Sequence, residues 1–460
     1  MGNSISLKKY YVLLFFVAIF LPFLFLAEGN YVVSALILGA VLLLTFLFLK
    51  TEIGLYLMVL CLPFIEPIFS FNFLEIPLID LLSLFVLGAF VIREFYILLY
   101  KKDREPVYFP LARYFFAFFA ICLVSSLLSH NILGSLWYSF RWVLFFYLAF
   151  VVVPFNLIKD LKVLKRVLVL ISFGGFLVAV MGFFSLFSQD WADSFFRVQP
   201  LTVFNNWIFG DNYNLLAEFL IISSFLSLSL KYWYNSWRSK RLINIFSFVL
   251  LLMAFFTFGR TAWITISLQL FLYFFIYLFF IKEERPNLRV FLIPFIVFLF
   301  ISSPFLIKMV SLQEANVSST QNRMLLTDIS IKAFLNKPLF GYGSGNFVYL
   351  VSNNIRFTSK YGDPLDSHGV WQKVIAENGA LGLLSFAVFL FFVFRKMYLG
   401  VLKNKEDYLL LLPLFVASFG AYFYQFFNTS YYKGRVWIPI ALTLVAVFLI
   451  ENKNKIKKNE

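Results

Sequence analysis

The sequence predicts an all-α polytopic transmembrane helical bundle of about 12–14 spans, with one large outer-face loop that contains short helices. Three observations carry that prediction. Hydrophobic residues make up 61% of the 460-residue chain and charged residues 14%, against about 25% charged in an ordinary soluble domain. Apolar runs near the ~20 residues that cross a bilayer recur along the whole length. Basic residues collect in alternate gaps between those runs, as cytoplasmic loops do.

Fourteen runs qualify, at 10–27, 31–49, 53–71, 80–100, 108–128, 137–155, 167–187, 213–231, 243–259, 261–281, 290–308, 379–395, 408–427 and 436–450. The 53–71 run is the weakest, because Pro63, Glu66 and Pro67 interrupt it. Twelve spans result if a pair of runs is re-entrant or interfacial. Lys8 and Lys9 precede the first run and no small-residue cleavage site follows it, so it reads as an uncleaved span.

Orientation follows from the basic loops. Lys8 and Lys9, then Lys101, Lys102 and Arg104, then Lys159, Lys162, Lys165 and Arg166 all fall on one side of the count of spans. Arg238, Lys240 and Arg241, then Lys282, Arg285 and Arg289, then Arg395, Lys396, Lys403 and Lys405 fall there too, as does the lysine-rich tail. The expectation is a multi-pass membrane protein with both termini cytoplasmic. The excess of 39 Lys and Arg over 24 Asp and Glu is accounted for by these loops, and nucleic acid is not an expected partner. Cys61 and Cys122 lie inside apolar runs and read as buried free thiols.

Three regions follow: a bundle of eleven spans over 1–308, a large outer loop over 309–378, and C-terminal spans with a basic tail over 379–460. A second outer segment, roughly 188–212, holds Trp191, Arg197 and Asp211. Within the large loop, Thr320 is placed to cap a helix that runs to Asn336, where Pro338 stops it. Leu326, Ile329, Ala333 and Phe334 give that helix an apolar face suited to the membrane surface. Gly341-Tyr342-Gly343-Ser344-Gly345-Asn346 reads as tight turns. Asp366 or Ser367 is placed to cap a second helix carrying His368, Trp371, Gln372 and Ile375 on one face, with Gly379 and Gly382 where it meets the next span.

Four residues stand out as carriers of chemistry. Arg141 lies just inside the sixth span, where a charge costs up to roughly 2.5–3.5 kcal/mol at the bilayer centre; snorkelling or a buried ion pair is the plain alternative. Arg260 sits in Phe258-Gly259-Arg260-Thr261, between two spans with almost no loop, either as an interfacial anchor or pointing into the bundle. Arg323 opens the loop helix, where the N-terminal dipole and a guanidinium fork together suit phosphate oxygens; a solvated surface arginine is the alternative. His368, one of two histidines with His130, has Asp366 close by and suits proton transfer near neutral pH; a packed or capping histidine is the ordinary case.

The glycine run lacks the lysine of a phosphate-binding loop and follows no strand. Asn428-Thr429-Ser430 fits a glycosylation sequon that is common by chance. Metal-ligand spacing is missing, so neither a metal nor another cofactor is expected. Arginines on the outer face are then the natural charge partners for a pyrophosphate leaving group, and a histidine the proton acceptor.

Residues 260–395 resemble the O-antigen ligase/O-antigen polymerase family of bacterial envelope enzymes. Three features carry the likeness: Gly259-Arg260-Thr261 between tightly joined spans; Arg323 followed by the segment 337–347, Lys-Pro-Leu-Phe-Gly-Tyr-Gly-Ser-Gly-Asn-Phe; and Ser367-His368 with Glu377-Asn378-Gly379 and Leu381-Gly382 downstream. The resemblance implies a GT-C-like, metal-independent glycosyltransferase that takes a glycan from undecaprenyl diphosphate on the periplasmic side. It implies Arg260 and Arg323 as ligands of the donor diphosphate, with Arg141 at a less sharply defined position, and His368 as the residue that deprotonates or orients the acceptor hydroxyl. Asp366, Glu377, Arg197 and Arg435 are candidates for supporting the site. Many members have Asn after the histidine, where this chain has Gly369.

The acceptor is lipid A core in a ligase, the slightly favoured reading, or another lipid-linked glycan in a polymerase. A flippase for lipid-linked oligosaccharides is the reading from another class, since such transporters also carry cationic cavities. Transporters of that kind commonly show two related halves with ionisable residues near the midplane; here no repeat is visible and the candidate residues gather at one face. A purely structural scaffold is a third reading.

Overall fold

The computed structural model describes residues 31–64, 68–71, 74–100, 106–188, 197–202, 207–281 and 313–459. The expected spans at 10–27 and 290–308 lie outside them. The described chain is a helical bundle, and eight of its helices are long and apolar enough to cross a membrane. They are α3 (Leu78–Tyr100), α5 (Ile132–Leu157), α6 (Leu161–Ser185), α7 (Tyr213–Trp233), α9 (Arg260–Ile281), α13 (Val370–Lys403), α14 (Lys405–Phe426) and α15 (Gly434–Asn459, apolar as far as Ile456). Two shorter helices pack among them: α4 (Ala112–Leu127) and α8 (Trp237–Phe255). The first turns of α8 are spent on Arg238, Lys240 and Arg241, which leaves too short an apolar stretch to qualify.

The weak 53–71 run is not a continuous span. Helix α1 (Tyr31–Leu49) turns through 113° into α2 (Thr51–Leu60). Beyond Cys61 the chain leaves helical geometry, as Pro63 and Pro67 dictate. It then forms a two-stranded antiparallel hairpin of β1 (Ile68–Phe71) and β2 (Leu74–Pro77), an exception to the all-helical expectation. Helix α2, ten residues and about 15 Å long, packs along α3. At one end Arg93 donates to the Thr51 hydroxyl at 2.9 Å; at the other Leu62 and Phe64 share a cleft with Asp80. Asp80 and Arg93 lie thirteen residues apart on α3, about 20 Å along a helix axis.

The large loop is a folded cap. Helix α10 (Gln313–Asn336) starts earlier than expected, so Thr320 lies within it and does not cap it. Its apolar face does not lie on the membrane. Leu325, Leu326, Ile329 and Ala333 pack instead into a small core with Phe347, Val351, Phe357 and Ala376, contributed by α11 (Phe347–Ser352), α12 (Ile355–Tyr361) and the start of α13. The turn Gly341–Asn346 spends its amides within the protein: Tyr342 donates to the Ala376 carbonyl and Gly343 to that of Glu377. These bonds close the turn over α13 and leave it no role as a phosphate cradle. Helix α13 breaks at Gly379, where φ is +65° and a side chain would run into Leu339. The amides of Ala380 and Leu381 past the break are taken by the carbonyls of Pro338 and Leu339.

Gly343 shows how closely the cap is seated. Its φ is +99°, and a Cβ there would stand 2.5 Å from Ser129 Cβ and 2.7 Å from Ser135 Oγ, at the outer ends of α4 and α5. Gly343→Ala is therefore expected to cost about 1–3 kcal/mol through strain and crowding, read as a lowered Tm of the purified protein. An unchanged Tm would mean that the turn does not bear on those helices.

Candidate active site

The site forms where four sequence-distant segments meet above the bundle. The first is the turn between α8 and α9. Phe258 there adopts a left-handed φ of 54°, Thr257 Oγ1 donates to the Ala254 carbonyl, and Gly259 leaves room for Asn214 at the start of α7. That turn presents Arg260 as the exposed first residue of α9. The second segment carries Arg197, whose guanidinium stacks on Tyr213 at 3.9 Å. Its neighbour Val198 donates to the Phe256 carbonyl, tying the segment to the same turn.

The third segment is α10. Arg323 sits in the body of this helix and not at its N-terminus, so the helix dipole does not act on it. It is partly buried, and burial together with the nearby positive charge of Arg260 lowers its proton affinity, while Tyr213 and Tyr424 raise it. A guanidinium stays charged under such pressure. Two arginines in mutual electrostatic reach therefore form a place that an anion stabilises. Among the described ion pairs, none involves Arg323.

The fourth segment carries His368, half-buried just before α13. Burial and the Arg323 charge lower its pKa below the ordinary histidine value, and Asp366 acts the other way. The imidazole therefore favours its neutral form, in electrostatic reach of Arg323. Neither Asp366 nor Ser367 caps α13. The residue at the cap is Gly369, and Ser367 Oγ donates to its carbonyl at 3.2 Å. The departure at Gly369 has a steric counterpart, since a Cβ there would lie 2.6 Å from the Phe426 carbonyl oxygen.

The supporting candidates divide. Asp366 is gripped by Lys373 at 2.8 and 2.9 Å and by the Tyr431 hydroxyl at 3.2 Å. Glu377 is fully buried and structural: it accepts from the Phe347 amide at 3.0 Å and pairs with Lys373 at 3.1 Å. Arg435 is buried against Glu218 at 3.6 Å and donates to the Leu215 carbonyl at 3.1 Å. Arg141 lies in a π-helical stretch of α5, paired with buried Asp80 at 2.8 Å and stacked near Trp142 and Phe145. Arg141 and Arg435 are each paired with a buried carboxylate of their own. Asn428 of the sequon is turned inward, donating to Glu218 at 2.9 Å.

Sequence reasoning missed three residues here. Glu218 is wholly buried in α7 and holds Gln425, Asn428 and Arg435 together. Lys373 is buried beneath Tyr138 and bridges Asp366 to Glu377. Lys433 shares a cleft with Asp80 and Arg435, and its ammonium makes no hydrogen bond or ion pair among the described residues. Burial and then Arg435 lower its proton affinity, with Asp80, Glu218 and Asp366 opposing. One signal was available: Lys433 and Arg435 are basic residues on the side where the pattern of loop charges leaves few.

Residues 245–387 match the family model described as O-antigen ligase. That stretch is similar to O-antigen ligases. The matched stretch runs from α8 into α13 and takes in Arg260, Arg323, Asp366, His368 and Glu377, while Arg141, Arg197 and Arg435 lie outside it. No curated protein matches the chain. The match and the apolar helices support a multi-pass membrane protein of lipopolysaccharide biosynthesis, with activity of the O-antigen ligase type in general.

Proposed function

We propose that this protein moves a glycan from undecaprenyl diphosphate to lipid A core at the periplasmic face of the inner membrane. The observation that supports this reading most is the convergence of Arg260, Arg323 and His368, from a span, a loop helix and a loop, at one end of the bundle. Arg260 and Arg323 hold the donor diphosphate, and Arg197 adds positive charge at the edge. His368 takes the proton from the acceptor hydroxyl as its oxygen attacks the anomeric carbon. The new carbon–oxygen bond forms while the bond to the diphosphate breaks, and the electron pair leaves with undecaprenyl diphosphate. The arginine pair stabilises the charge that gathers on that leaving group, which is where preorganised cations act most strongly. Asp366, fixed by Lys373, steadies the segment that bears His368.

The test uses purified protein in detergent with a glycan linked to the lipid diphosphate, one reaction with lipid A core and one without it, each repeated in EDTA. A single shift of the core band that survives EDTA is the expected result. A ladder of longer lipid-linked chains without core would replace the ligase with a polymerase. Loss of product in EDTA, restored by Mg²⁺, would overturn the metal-independent mechanism.

A further inference from the structure

The end of the bundle remote from the arginine pair holds a cleft that the transfer reaction does not use. It has a volume of about 440 Å³ and opens where α1 bends through 113° into α2. Lys50, Arg93, Lys159 and Arg166 line it with Glu52, and Asp160 beside Lys159 also acts on Arg166. These positions come from four segments: the bend itself, α3, the turn after α5, and α6. Basic residues at this end of a membrane bundle ordinarily spread into water. Here two of them are held by hydroxyls at the wall of the cleft, Arg93 half-buried and Arg166 exposed. Arg93 donates to the buried Thr51 hydroxyl at 2.9 Å, and Arg166 to the Tyr56 hydroxyl at 3.4 Å. Four basic side chains thus outnumber two carboxylates around the concavity, an excess that a bound anion would neutralise.

The mouth of the cleft is apolar on one side. Leu49 lines it and is 51% exposed. Phe46 at 45% and Leu42 at 55% continue the same face of α1 for two turns away from the cleft. A basic pocket continuous with an exposed apolar helix face matches a molecule with an anionic head and hydrocarbon tails. A soluble anion has no use for that face. Arg93 at this cleft lies thirteen residues along α3 from Asp80, which lines the cleft shared with Lys433 and Arg435, a separation of about 20 Å along a helix axis.

We propose that this cleft is a binding site for the headgroup of an anionic phospholipid, with the acyl chains lying along Leu42, Phe46 and Leu49. Lys50, Arg93, Lys159 and Arg166 take the phosphate and any further negative charge on the headgroup, as basic pockets between membrane helices do. The inference is independent of the transfer reaction.

The probe is phosphatidylglycerol added to the delipidated full-length protein in neutral detergent, with retention read by native mass spectrometry and stability by Tm. Phosphatidylcholine and inorganic phosphate serve as parallel arms. Phosphatidylglycerol is expected to be retained and to raise Tm, and the other two are not. Lys159→Glu, an exposed change outside the spans, is expected to weaken retention at least fivefold, about what one surface charge is worth. The double variant Arg93→Gln/Arg166→Gln should weaken it further. Equal retention of phosphatidylcholine, or unchanged retention in Lys159→Glu, would overturn the proposal. Stabilisation by inorganic phosphate equal to that by the lipid would overturn it in favour of a free-anion site.

Discussion

Arg323→Lys is expected to lower transfer roughly 10²–10³-fold, the loss typical of removing one preorganised donor from a developing anion. The substitution keeps the charge, so a merely solvated arginine would tolerate it. A lysine offers a compact ammonium and cannot reproduce the planar fork that binds two phosphate oxygens at once. Arg323 is partly buried on α10, in electrostatic reach of Arg260, Tyr213 and Tyr424. Arg260→Ala should be at least as damaging. The comparison requires equal amounts of folded protein in the membrane and initial rates with saturating acceptor. Near-normal rates in both variants would remove the diphosphate from this pair.

His368→Ala is expected to cost roughly 10²–10⁴-fold, the range for loss of a general base. The pH profile adds a readout that a structural role would not move. His368 must be neutral to accept a proton, and burial and Arg323 both lower its pKa below the usual 6.5. Activity should therefore be level at neutral pH and fall only on the acid side of the ordinary histidine range. Arg323→Gln removes a charge that lowers this pKa, so the acid limb should move to higher pH in whatever activity remains. Asp366→Asn removes one that raises it, and the limb should move the other way. A limb that stays in place in both variants would separate His368 from the rate.

The bundle was legible because lipid imposes a strong rule: every span must be a long apolar helix, and α3, α5, α6, α7, α9, α13, α14 and α15 all follow it. The bend at Lys50 and the hairpin after Pro63 were less legible. Hydropathy records how apolar a segment is, while proline and packing decide whether it stays helical. Within the site, Arg260, Arg323 and His368 were visible as charged or titratable residues in distinctive local patterns. The seat of the loop was not. The glycine turn reads equally well as a free cradle or a docked wedge until Ser129, Ser135 and Glu377 are brought against it from distant positions. The same holds for Arg141. Its partner Asp80 lies 61 residues away, so the ion pair that draws it aside has no local signature. Glu218 is a buried charge whose partners Gln425, Asn428 and Arg435 come from far along the chain, whereas Lys373 pairs with Glu377 one helical turn on, a spacing the sequence did carry.

The most direct test of the central claim follows a label on the glycan of the lipid diphosphate donor, with purified wild-type protein and His368→Ala incubated side by side with lipid A core. The account predicts that wild type moves the label to the core and releases the lipid diphosphate in equal amount. The variant should still bind the donor and leave the label on it. Transfer at the wild-type rate by His368→Ala would contradict the account, as would a wild-type protein that carries the intact donor across a bilayer without ever transferring its glycan.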